Sequence, residues 1–144
     1  MYVTDSQRAT IYRLAAGTVE PWLQDRRLAR PNGITVDGSR LIVGTNGDGC
    51  LKSIDLATKA IATVTPLGAG IIDGLAALGG GRLLVSHNEG RLWLVAPDGR
   101  ATKLLDATVV GQNIADFALA KGLVIFPTIT ENRVAAYTLP AAVK

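Results

Sequence analysis

Three oxygen-bearing side chains recur at nearly even spacing, each shortly ahead of an apolar stretch. They are Asn32 in Pro31-Asn32-Gly33-Ile34, Asp73 in Ile72-Asp73-Gly74-Leu75 and Asp116 in Ala115-Asp116-Phe117-Ala118. Gly33 and Gly74 lie 41 residues apart, and Leu75 and Phe117 lie 42 apart. Brought together, an amide and two carboxylates suit a hard cation: Ca²⁺ or Mg²⁺, or Zn²⁺ completed by water. Such an ion lowers the pKa of a bound water, and a neighbouring carboxylate can take the proton. Asn-Gly and Asp-Gly are equally favoured turn dipeptides, so the same residues also read as turn formers holding no ion.

The elements that would position these residues are strands in a repeat. Each motif is followed by an apolar run: Leu41-Ile42-Val43, Leu83-Leu84-Val85 and Leu123-Val124-Ile125, with Met1-Tyr2-Val3 in the same slot. Taking Val3, Val43, Val85 and Ile125 as equivalents gives steps of 40, 42 and 40 residues. A third strand recurs at Thr10 to Leu14, Leu51 to Leu56, Arg91 to Val95 and Arg133 to Leu139. A fourth recurs at Val19 to Leu23, Ala60 to Val64 and Ala101 to Leu105. Asp37-Gly38, Asp98-Gly99 and Gly79-Gly80-Gly81 supply the positive φ of tight hairpins. The second strand of each unit is apolar at consecutive positions, so both its faces are buried, as in a sheet sandwiched between like sheets. Four strands per ~40 residues is the signature of a β-propeller.

The units fall at 1–28 (partial), 29–66, 71–107 and 113–139 (partial), fourteen strands in one domain spanning 1–144. The expected fold is all-β, a half-propeller of about 3.5 four-stranded blades. In it the starts of the innermost strands, and with them Asn32, Asp73 and Asp116, point at one mouth of a central channel. A half ring exposes apolar end faces and open strand edges. The expected partner is therefore a second copy, giving a dimer, or a complementary half-propeller chain.

Composition removes several functions. Lys and Arg number 15 and Asp and Glu 12, a net charge of +3. With Arg26-Arg27 as the sole adjacent basic pair, nucleic acid is not an expected partner. Apolar residues at 48% and charged residues at 19% exclude intrinsic disorder. Cys50 is the single cysteine, so neither an internal disulfide nor a cysteine zinc cluster forms. No apolar run approaches the ~18 residues of a membrane helix, and the N-terminus lacks a signal-peptide pattern. A cytoplasmic location is the default expectation. No phosphate-binding Gly-x-x-x-x-Gly-Lys loop occurs, so no nucleotide cofactor is expected.

With these inner-strand motifs and the tail from Phe126 to Leu139 in view, the chain resembles the C-terminal half of the gluconolactonase / senescence marker protein / luciferin-regenerating enzyme family of six-bladed propellers. It is similar, more widely, to the NHL-repeat propellers. The resemblance spans all 144 residues, and the tail looks like that family's C-terminus. It implies a divalent ion in the central channel, with Asn32 and Asp73 as ligands and Asp73 also as the general base acting on a sugar lactone. The family's first-blade Glu ligand has no counterpart here. A lactone-hydrolase-like half whose site is completed by oligomerisation is thus one reading. A non-catalytic binding or scaffold propeller that self-associates to close the ring is the other.

The remaining chemistry-bearing residues read as structural. His87, the only histidine, is expected in a solvated loop. Ser86 and His87 are strand neighbours, which point to opposite faces and form no catalytic pair. Cys50 sits in a turn without a basic neighbour to activate it. Trp22 and Trp93 are expected to pack between blades.

Overall fold

The computed structural model describes residues 1–140 and 143. Among these the chain is all-β: fourteen strands form four antiparallel sheets of three or four strands, none closed into a barrel. This is an open half-propeller fragment. A single-turn 3₁₀ helix spans Thr108–Val110, between the eleventh and twelfth strands. No helix is long and apolar enough to cross a membrane among the described residues.

The chain divides into two compact units, Met1–Ile72 and Asp73–Lys144. The first holds sheets β1-β2-β3 and β4-β5-β6-β7. Its strands are β1 (Tyr2–Asp5), β2 (Thr10–Ala15), β3 (Thr18–Gln24), β4 (Pro31–Asp37), β5 (Arg40–Thr45), β6 (Cys50–Asp55) and β7 (Ile61–Pro66). The second holds β8 to β11 in sequential order, and β12-β13-β14. These are β8 (Ile72–Gly79), β9 (Arg82–His87), β10 (Arg91–Val95), β11 (Ala101–Asp106), β12 (Ala118–Ala120), β13 (Leu123–Pro127) and β14 (Val134–Thr138). Short connections make each sheet a meander, and Gly38 at φ 59° and Gly99 at φ 84° occupy turn positions that disfavour a side chain.

One packing rule operates in both units. Side chains alternate across a strand, so each sheet has two faces. We call the face carrying Leu41 and Val43 leading, and that carrying Ile42 trailing. In the first unit the trailing face of β1-β2-β3, with Tyr2 and Ile11, packs with Trp22 and Leu28 against Leu41, Val43 and Ile54 on the leading face of β4–β7. In the second unit Leu84 and Leu92, on the trailing face of β8–β11, pack against Val124 and Phe126 on the leading face of β12-β13-β14. In β5 and β9 every residue after the first is buried, on both faces of the strand, which matches their unbroken apolar runs.

The register of the last sheet corrects the alignment drawn from sequence. Pro31 pairs with Thr45, and Ile114 forms the matching bridge to Thr128. Phe126, two residues before Thr128, therefore occupies the place of Val43, where Ile125 was expected. Phe126 is buried, and Ile125 lies on the opposite face.

Candidate functional site

Asn32 belongs to the first unit, and Asp73 and Asp116 belong to the second. Asn32 sits in a β-bulge: the β4–β5 register shifts between Pro31 and Ile34. A bulge re-aims the side chains it carries. Two hydroxyls of the preceding segment hold this one in place. Thr4 Oγ1 donates to the Asn32 carbonyl at 2.6 Å, and Ser6 Oγ donates to the Pro31 carbonyl at 2.5 Å. The Asn32 side chain is half-buried.

Asp73 is the second residue of β8, half-buried between buried Ile72 and Gly74. The Gly74 N–H donates to Ser86 Oγ at 2.8 Å, and the same hydroxyl donates to the Ala115 carbonyl at 2.7 Å. Ser86 thereby ties the start of β8 to the segment leading into β12. Asp116 is exposed, and its Oδ1 accepts the N–H of Phe117 at 2.7 Å. That oxygen lies 2.6 Å from where a Cβ on Gly74 would stand. Only a residue without a side chain leaves this space.

Asp116 thus reaches the backbone beside Asp73, from a shifted register. The Ile114–Thr128 bridge places Ala115, not Asp116, in the position of Asn32. Asp116 stands where Gly33 stands in the earlier sheet, ahead of β12 rather than inside it. Among the described residues no group of three His, Cys, Asp or Glu side chains converges in the manner of a metal centre.

His87 departs from its expected place in a solvated loop. It ends β9 fully buried, on the leading face, where Thr45 and Thr128 are buried in the other sheets. Its Nδ1 lies 4.0 Å from Glu89 Oε2. Ser86 is on the trailing face, so the two neighbours do diverge. Trp22 is buried, with Tyr2 edge-on at 5.1 Å and the Lys59 ammonium 5.4 Å from its ring centre. Arg27 of the Arg26-Arg27 pair is committed to Asp25 at 2.7 Å, which partly neutralises the pair.

Sequence reasoning passed over Thr4, Ser6 and Ser86 as binding residues of the backbone. For Ser86 a signal existed. A hydroxyl ending the run Leu83-Leu84-Val85 is buried, and a buried hydroxyl requires partners.

No protein-family model matches the chain, and no curated protein sequence matches it. Solved structures do. A chain of a nidogen/laminin complex superposes with a TM-score of 0.78 at 18% identity, covering 99% of this chain and 56% of that one. A catalytically inactive virginiamycin B lyase from Staphylococcus aureus, crystallised with quinupristin, matches with a TM-score of 0.71 at 13% identity, covering 99% and 53%. The computationally designed Ika4 protein matches with a TM-score of 0.60 at 10% identity, covering 91% and 79%. At these identities the likeness is one of fold: a β-sheet-rich fold distantly related to propeller-type folds. The chain spans about half the length of the nidogen-complex and lyase chains that it matches.

Proposed function

We propose that this chain is a propeller scaffold module that self-associates, another copy covering the sheet faces it leaves open. The carrying observation is that the first and the last sheet each present an apolar face with exposed side chains. The leading face of β1-β2-β3 aligns Val3, Tyr12 and Pro21, then Leu14 and Val19. Val3 is 48% exposed and Val19 63%. The trailing face of β12-β13-β14 aligns Ala118, Ile125 and Ala136, with Val134 beside Pro127 and 72% exposed. Continuous apolar surface of this kind marks an interaction site. The matched chains extend for just under half their length beyond this one, which is about one further copy. Light scattering tests the reading: a mass that is a multiple of 15.1 kDa at micromolar concentration is expected, and a strict monomer overturns it.

A second reading rests on the Asp116 carboxylate beside Gly74. In it Asn32 and Asp73 hold a divalent ion, Ca²⁺, Zn²⁺ or Mg²⁺, and Asp116 adds an oxygen. The ion would supply Lewis acidity toward a lactone carbonyl, and Asp73 would accept the proton of the attacking water. The displaced register of Asp116, and the lack of a three-residue His, Cys, Asp or Glu cluster among the described residues, weigh toward the scaffold. Ion uptake at millimolar Ca²⁺ or Zn²⁺ lost in Asp73→Asn, together with lactone hydrolysis lost in the same variant, is the result this reading requires.

A further inference from the structure

We infer that self-association is head-to-tail: the trailing face of β12-β13-β14 in one copy packs on the leading face of β1-β2-β3 in the next. This rests on the scaffold reading and specifies its interface. Each unit makes one sheet-on-sheet contact, and in both it joins a trailing face to a leading face. The first sheet presents an exposed leading face and the last sheet an exposed trailing face, one of each kind. A trailing-to-trailing contact would match no packing that the repeat uses.

The side chains agree. The trailing face of the last sheet is built of small residues, Ala118, Ala120 and Ala136, around Ile125 and Leu123. The leading face of the first is built of larger ones, Tyr12 and Leu14 with Val3 and Val19. Small residues facing large ones let two sheets interdigitate at interior density. Asp5 is the one charge on either set of aligned residues, so no like-charge repulsion opposes the contact. A heterologous contact closes into a ring when the rotation allows and otherwise continues as a filament.

Charge variants separate this arrangement from its rivals. Val3→Glu marks the leading face and Ala136→Lys the trailing face, both at exposed positions. Circular dichroism checks that each folds; Val19→Glu and Val134→Lys replace a variant that does not. Each variant alone is expected to fall to the mass of one chain, since every contact then holds one charged face against an apolar one. The equimolar mixture is expected to recover mass, because a two-copy ring then holds one unaltered contact and one Glu–Lys contact. Dissociation by only one of the two variants, or no recovery on mixing, overturns the head-to-tail contact while leaving self-association standing. A monomeric unaltered chain overturns self-association itself.

Discussion

The hydroxyl of Ser86 accepts the N–H of Gly74 at 2.8 Å while giving its own proton to the Ala115 carbonyl. Ser86 is fully buried, so no water replaces it. Ser86→Ala leaves a donor and an acceptor unsatisfied, at about 1–3 kcal/mol for each. The midpoint of urea unfolding should fall with an unchanged slope. An unshifted midpoint would show that the hydroxyl holds nothing.

Gly74 makes a sharper demand. A Cβ there meets Asp116 Oδ1 and Phe117 Cδ1, each at 2.6 Å, and Ser86 Oγ at 2.8 Å. Gly74→Ala should cost about 1–3 kcal/mol by overpacking. Part should return in Gly74→Ala/Asp116→Gly, which removes one of the colliding atoms. Thermal melts of the single and double variants measure the recovery, and additive losses would contradict the contact.

The fold was legible in the sequence because a repeat shows itself four times. Apolar runs such as Leu41 to Val43 and turn pairs such as Asp98-Gly99 each repeat, so one ambiguous segment is fixed by its equivalents. The candidate site was less legible. Ala115-Asp116-Phe117 matches Ile72-Asp73-Gly74 through its aspartate and Asp73-Gly74-Leu75 through its apolar third residue, and the pairing of Ile114 with Thr128 selects the second register. His87 misled for a related reason. Its neighbours Asn88, Glu89 and Gly90 are loop residues, while its own position is the buried strand end that Thr45 and Thr128 occupy.

The bulge carrying Asn32 depends on side chains of another sheet. Thr4 and Ser6 donate to the carbonyls of Asn32 and Pro31. Thr4→Val keeps the shape of the side chain and removes the donor, and Ser6→Ala does the same for the second bond. Each should cost about 1 kcal/mol. Amide exchange around Asn32 and Gly33 should accelerate in both. Exchange faster everywhere by one factor would mean a global loss of stability and no local hold on the bulge.

Asp25 gives the chain an acid-sensitive element. Its carboxylate takes the Arg27 side chain at Nε and Nη2, and then the Arg27 backbone N–H, which lowers its pKa to about 2. A carboxyl with a folded pKa below its unfolded value of ~3.9 adds stability above that value. The contribution fades as pH falls from about 4 through 2. Arg27 is exposed and Asp25 partly so, and solvent screening keeps the contribution small. Asp106 follows the same course: the Lys103 ammonium, then the Thr108 hydroxyl, bring its pKa to about 2. Asp25→Asn should therefore unfold at a lower temperature than the unaltered chain at pH 6, and the gap should close toward pH 2. Melting curves across that range decide the matter. A gap that persists unchanged at pH 2 would assign the loss to side-chain packing and remove charge from the account.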